Sequence, residues 1–162
     1  MRMRTTSSSG RQASATTVAR SPLAAARVAV VLDNEALQAA VLTTHPKHRR
    51  LMEVLQATTL RRRALVVVPT AVRVEAGVRR TDPSATALGR LGVEDVPLTG
   101  DRADAAVLLS QGASVSVVDG TVVQCAEELA ERGHRVTVYT SDVRDLERLR
   151  GRTATPISVR RV

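Results

Sequence analysis

Four acidic residues stand where an apolar run gives way to a helical pattern, and carboxylates in that position can hold a metal ion. Asp33 and Asp142 follow runs typical of strands, whereas Glu75 and Asp119 open helical segments that come after apolar runs. If those runs are parallel strands, the four junctions meet at one edge of a sheet, where the carboxylates raise one another's pKa unless a cation neutralises them. Oxygen donors without cysteine or clustered histidine favour Mg²⁺ or Mn²⁺, which promote the hydrolysis of phosphate esters.

Each of these acids also has an ordinary structural explanation. Asp33 is followed directly by a helical segment, and Asp is among the residues that cap a first helical turn by accepting hydrogen bonds from its free amides. An acid near the start of a helix, as we expect for Glu75, is favoured by the helix dipole. Taken one by one, the acids leave capping and catalysis open, and only their shared position favours a site.

Strand-like and helical segments alternate along the chain. The apolar runs are 28–32, 64–68, 93–98, 115–118, 135–140 and 153–159, and the helical patterns are 36–41, 47–60, 70–78, 100–111, 120–132 and 143–150. This alternation predicts an α/β fold of three layers, α/β/α, with a mostly parallel, doubly wound sheet. The last run contains Pro156, which favours an edge strand.

The composition narrows the classes of function. The chain has 162 residues, no Trp or Phe and one tyrosine, Tyr139, which argues against base stacking on aromatic side chains as a mode of nucleic-acid binding. Cys125 is the single cysteine, so the chain can form neither a disulfide nor a thiolate zinc cluster, and we interpret this residue as part of the core. No segment is long enough to cross a membrane, and a cytoplasmic location is expected.

The first residues differ in composition from the rest. Residues 1–24 contain four arginines, many Ser and Thr and no acid, and they are predicted to form a disordered basic tail ahead of a single domain, 25–162. Transit peptides share this composition, so an organelle address stays open. The tail carries four of the eight net positive charges, which leaves the domain mildly basic.

The order and spacing of the motifs resemble the PIN domain and, within that family, the VapC-type toxin ribonucleases of bacterial toxin–antitoxin pairs. The resemblance covers about residues 27–151 and rests on segments 30–33, 68–77, 118–119 and 140–146. It implies a metal-dependent endoribonuclease that hydrolyses RNA phosphodiester bonds. Its predicted catalytic and Mg²⁺- or Mn²⁺-binding residues are Asp33, Glu75, Asp119 and Asp142, with Asn34, Thr140 and Ser141 as polar neighbours. Asn34 departs from the family's usual Ser or Thr, and Gly120 departs from its usual Ala.

The resemblance also implies protein partners, namely a cognate antitoxin and a second copy of the chain in a homodimer. Two apolar stripes, Leu51, Val54 and Leu55 on one helix and Leu37 and Val41 on the helix before it, predict a groove for a helical antitoxin segment. Homodimerisation and ordinary core packing are the competing explanations of these stripes.

Arginines flank the first of these stripes and are candidates for phosphate contacts with RNA. They are Arg49, Arg50, Arg61, Arg62 and Arg63. A solvated basic face is the alternative. For the whole chain, the alternative to a nuclease is a non-catalytic PIN-like module that binds RNA or a protein partner.

Overall fold

The computed structural model describes residues 27–62 and 64–162, which form five strands and seven α-helices. The strands are Val28–Leu32 (β1), Leu65–Pro69 (β2), Glu94–Val96 (β3), Arg135–Thr140 (β4) and Ile157–Arg161 (β5). The helices are Asn34–Val41 (α1), His48–Arg62 (α2), Thr70–Ala76 (α3), Thr86–Arg90 (α4), Gly100–Ser110 (α5), Val117–Glu131 (α6) and Val143–Arg150 (α7). A 3₁₀ turn, Pro83–Ala85, precedes α4. The predicted tail, 1–24, lies outside the described residues.

The five strands form one sheet in the order β3-β2-β1-β4-β5, and every neighbouring pair is parallel. The chain first moves outward from β1 to β3 and then returns to the other side of β1. Because parallel crossovers are right-handed, this reversal places α1 to α4 on one face and α5 to α7 on the other. The predicted three-layer, doubly wound α/β fold is confirmed.

The central strands are apolar along their whole length because helices cover both faces. Four of the five residues of β1 are buried, and so are four of the five of β2. A strand buried on both faces carries a continuous run of Val, Leu and Ile in place of an alternating pattern. As the composition requires, the core is aliphatic, and Cys125 is buried within it as predicted.

Most of the apolar stripe of α2 belongs to this core. Leu51 and Leu55 are buried on α2, as are Leu37 and Val41 on α1, and the two helices pack on each other. Among the competing explanations, ordinary core packing is therefore the correct one for these four residues. Only Val54 keeps part of its surface exposed.

The start of α6 differs from its prediction. The run 115–118 is not a strand: Ser116 caps the helix, and α6 begins at Val117, three residues earlier than the pattern indicated. The apolar residues of this run pack as part of a helix entry, and period alone cannot separate a short strand from such a segment. Asp119 consequently lies inside the first turn of α6. Among the described residues, no helix combines the length and apolar character that a bilayer crossing requires.

Candidate functional site

The direction of the chain reverses between β1 and β4, and open α/β sheets bind their ligands beside such a reversal, at the carboxyl ends of the strands. Asp33 follows β1, and its backbone amide donates to the carbonyl of Tyr139 at 3.2 Å. Thr140 is the last residue of β4, and Asp142 caps α7 two residues later. The predicted residues Asp33, Thr140 and Asp142 therefore meet at the position where the topology favours a site.

Asp33 is a buried carboxylate that also caps a helix. Only 6% of its surface is exposed, and its Oδ1 accepts from the amide of Ala36 in the first turn of α1 at 2.7 Å. Burial raises the pKa of Asp33, and the charge of Asp119 raises it further, against hydrogen bonds from the Thr140 hydroxyl and from the amides of Ala36 and Ser141. Capping alone requires neither burial nor a second acid nearby, so the cap explanation is correct but incomplete.

Thr140 links Asp33 to Asp142. Its side chain is fully buried, its hydroxyl donates to Asp33, and its Oγ1 accepts from the amide of Asp142 at 2.8 Å. Because one hydroxyl can donate once and still accept, Thr140 fixes the Asp33 side chain relative to the start of α7. Thr140 thus lies between two of the acids, and Ser141 donates to Asp33 through its backbone amide.

Asp119 lies half-buried in the first turn of α6. The Ser116 hydroxyl donates to Asp119 Oδ2 at 2.8 Å, and the Asp119 amide donates to Ser116 Oγ at 3.0 Å, so Ser116 caps α6 and holds the Asp119 carboxylate. Burial raises the pKa of Asp119, and the charges of Asp142 and Asp145 add to the effect, while Ser116 opposes it. Charge coupling thus connects Asp33 to Asp119, and Asp119 to Asp142 and Asp145.

Two residues of this cluster were not among the predicted site residues. Asp145 follows Asp142 by three positions, its amide donates to Asp142 Oδ1 at 3.1 Å, and its carboxylate pairs with Arg148. Ser116 orients Asp119. The spacing Ser-x-x-Asp, which is typical of a helix start, was the available sequence signal for Ser116, but the run around it resembled a strand. Asp145 could have been found because it occupies the same face of α7 as its cap.

Glu75 and Asn34 stand apart from the cluster. Glu75 is the sixth of the seven residues of α3, so it lies in the last turn and not in the first. Its side chain is exposed, and among the described residues it makes no hydrogen bond or ion pair. Because α3 packs against α6, Glu75 still lies on a helix next to the one that carries Asp119. Asn34 Oδ1 accepts from Gln38 on its own helix, at 3.0 Å.

The chemistry of the cluster suits a hard divalent cation. Its donors are carboxylate oxygens, and within the described chain no basic side chain forms an ion pair with Asp33, Asp119 or Asp142. No three His, Cys, Asp or Glu side chains among these residues are arranged around a common metal position. Mg²⁺ is usually held by one or two carboxylates together with water and substrate phosphates, so Asp33 and Asp119 fit such an ion without a complete protein cage.

The predicted phosphate-binding arginines separate into different surroundings. Arg49 is exposed and pairs with Glu53 of its own helix at 3.1 Å. Arg50 lines a cleft between α2 and the β4–β5 side of the sheet. Arg63 and the side chains of Arg61 and Arg62 lie outside the described residues. Of the two arginines of this group whose side chains are described, Arg50 lies in a concave surface, together with Arg160 and Arg161, which the sequence did not suggest.

Comparisons with known proteins give a likeness of fold. No family model matches the chain, and no curated protein matches it in sequence. One chain in the crystal structure of VapBC2 from Rickettsia felis, bound to a DNA fragment from their promoter, superposes with a TM-score of 0.50 at 13% sequence identity. The superposition covers 83% of this chain and 99% of that chain. At this identity the likeness concerns the fold, and it supports a PIN-like α/β/α architecture.

Proposed function

We propose that the chain is a metal-dependent endoribonuclease and the toxin of a toxin–antitoxin pair. The observation that carries the proposal is Asp33, a carboxylate with 6% exposure beside the sheet reversal, coupled in charge to Asp119 and without a basic partner in the described chain. A buried acid without a basic partner is costly, and acids whose pKa is perturbed in this way concentrate at functional sites. The likeness to a chain of a VapBC complex is the support for the toxin and for an antitoxin partner.

The proposed division of roles follows from burial. Asp33 and Asp119 hold a Mg²⁺ or Mn²⁺ ion, with the exposed Asp142 beside them, and Glu75 orients the attacking water from α3. When bound, the ion stabilises the negative charge that develops on the phosphate during an in-line displacement. Thr140 holds Asp33 in place through its hydroxyl.

The reaction is the hydrolysis of an RNA phosphodiester bond. The oxygen of water forms a new bond to phosphorus, and the bond from phosphorus to the leaving ribose oxygen breaks. The proton that water loses passes to solvent, and the leaving oxygen takes up a proton from solvent. This exchange is open to bulk water because the Asp142 carboxylate at the cluster is exposed.

The alternative function is a non-catalytic module that binds RNA or protein. It is favoured by one observation: in the described chain no three acids surround a common metal position. The two functions differ in whether Mn²⁺ binds at Asp33 and whether RNA is cut, so one set of variants separates them.

The test compares the purified protein with Asp33→Asn, Asp119→Asn and the control Asp104→Asn, an exposed acid of α5 outside the cluster. With Mn²⁺ and cellular RNA, we expect the two cluster variants to lose activity at least about 100-fold, the order lost with a group that stabilises transition-state charge. The control should cut like the wild type. Mn²⁺ should raise the melting temperature of the wild type and of the control but not of the cluster variants, because only a folded site binds it.

Two results would count against the proposal. If the cluster variants unfold while the folded fraction remains active, then Asp33 and Asp119 are only caps. If the wild-type protein binds RNA without cutting it, and its melting temperature does not change when Mn²⁺ is added, then the non-catalytic module is the better description.

A further inference from the structure

A cleft of about 400 Å³ lies between α2 and the β4–β5 side of the sheet, on the face opposite α6. Arg50, Leu51 and Val54 line it from α2, and Thr137 and Tyr139 line it from β4. Arg160 and Arg161, at the end of β5, complete its wall. Val162 lines the cleft as well. None of the lining side chains is acidic, so three arginines line one concave surface with no acidic side chain among them.

Unlike most other arginines of the described chain, Arg50, Arg160 and Arg161 have no carboxylate or hydrogen-bond partner for their side chains among the described residues. The arginines that do pair with carboxylates are Arg49, Arg73, Arg79, Arg80, Arg102, Arg132, Arg148 and Arg150. An anion in the cleft would supply the ionic partner that the three cleft arginines lack among the described residues.

The only aromatic residue of the chain lies in the same cleft. Tyr139 is partly buried, and its side chain points to the α2 face together with that of Thr137, because side chains two residues apart share a face of the strand. The composition argued against base stacking because it left one aromatic ring. The structure places that ring beside the unpaired arginines, where one base of a nucleic acid strand can stack on it while its phosphates contact the guanidinium groups.

The cleft adjoins the acidic edge of the sheet. Tyr139 is in register with Leu32 of β1 on one side and with Arg160 of β5 on the other. Asp33 directly follows Leu32, so Arg160 lies about 10 Å from it, the width of two strand spacings. A single nucleic acid strand that occupies the cleft can therefore continue to the acids without leaving the surface.

We propose that this cleft binds a single strand of RNA, through phosphate contacts of Arg50, Arg160 and Arg161 and a base stacked on Tyr139, and so presents the adjoining phosphodiester to the acidic edge. The proposal rests on the proposed nuclease function for its choice of RNA. An acidic peptide from a protein partner would use the same charges, but it has no need of an aromatic ring beside them, which favours the nucleic acid.

The experiment measures binding without cleavage. A fluorescent single-stranded RNA oligonucleotide is titrated in EDTA with the full chain, over a range of salt concentrations, and anisotropy gives the Kd. The cleft variant is Arg50→Ala/Arg160→Ala/Arg161→Ala. Its matched control is Arg27→Ala/Arg90→Ala/Arg135→Ala, which removes the same charge from exposed positions away from the cleft. Arg27 and Arg135 lie at the amino ends of β1 and β4, whereas the cleft arginines of β5 lie at its carboxyl end.

Loss of three phosphate contacts should reduce the slope of log K against log salt by about 2, since each contact with a single strand contributes roughly 0.7. The control should keep most of the wild-type slope. Tyr139→Leu should weaken RNA binding by roughly 5-fold to 100-fold at an unchanged slope, whereas Tyr139→Phe, which keeps the ring, should bind like the wild type. Single Arg160→Ala, at an exposed position, tests the cleft if the triple variant does not fold.

Equal loss in the cleft and control variants would mean that only net charge matters, and the proposal would be wrong. It would also be wrong if the cleft variants kept RNA binding but lost binding to a polyglutamate probe, because the cleft would then serve an acidic protein segment. Because binding is read in EDTA, a protein that proves unable to cut RNA still tests the cleft. Conversely, an active nuclease indifferent to the cleft variants would refute this inference alone.

Discussion

Gly120 is expected to be irreplaceable because α5 and α6 touch there. A Cβ added at Gly120 would lie 2.5 Å from the backbone oxygen of Ala106 and closer still to Oγ of Ser110. The Ser110 side chain could rotate, but the Ala106 carbonyl belongs to a helix and cannot move alone. The glycine at this position therefore has a physical reason in this chain.

Two opposing effects decide the sign of Gly120→Ala. In a free helix the change stabilises by about 1 kcal/mol, since Ala has the higher helix propensity. Overpacking a tight contact costs about 1–3 kcal/mol, and contact with backbone belongs in the upper part of that range. We expect a net loss of about 1–2 kcal/mol, which corresponds to a fall in Tm of roughly 2–8 °C in a chain of this size. The forced separation of the helices also moves Asp119. We therefore expect the rate of Mn²⁺-dependent RNA cleavage to be lower than that of the wild type even at temperatures below Tm.

The assay is thermal unfolding followed by circular dichroism, with Gly89→Ala as the matched control. Gly89 lies within α4, and a Cβ there meets nothing within 4 Å, so this variant should be as stable as the wild type or more stable. Adding Ser110→Ala to Gly120→Ala should not restore Tm, because the contact with Ala106 remains. A Gly120→Ala protein at least as stable as the wild type, or full rescue by Ser110→Ala, would refute the reasoning.

Three further predictions concern buried charges and the thiol. Burial raises the pKa of Asp33 above its ordinary 3.8, so the folded metal-free protein binds the proton more tightly than the unfolded chain. The stability that this group contributes is therefore present below pH 3.8 and is lost as pH rises through the raised pKa. In urea titrations, Asp33→Asn should therefore gain stability relative to the wild type as pH rises; a pH-independent difference would contradict this. Asp95→Ala should cost about 3–5 kcal/mol, because it leaves Arg73 buried without its partner, and a change below about 1 kcal/mol would show that Arg73 reaches solvent. Burial raises the pKa of the Cys125 thiol to about 12, so iodoacetamide at pH 8 should label it only after unfolding, and rapid labelling of native protein would place it at the surface.

The sequence by itself determined the layered architecture of this protein. Apolar runs such as Val28–Leu32 are short and continuous, helical stripes lie between them, and only a parallel sheet covered on both faces buries both patterns. The positions of Asp33 and Asp142 after their strands followed from the same periodicity, because parallel strands all end at one edge. These are local features, and local propensity and burial set them.

Only the tertiary structure decided which side chains meet and what the shared surfaces contain. The strand order places β4 next to β1, so Thr140 donates to Asp33 although 107 positions separate them, and no local pattern encodes that neighbour. The same order sets Arg160 beside Tyr139, so the single aromatic residue lines a basic cleft. It also encloses Leu51 and Leu55, because an amphipathic stripe shows that a face must be covered and does not say by what. Contacts between distant segments depend on the path of the whole chain, and sequence periodicity carries no information about that path.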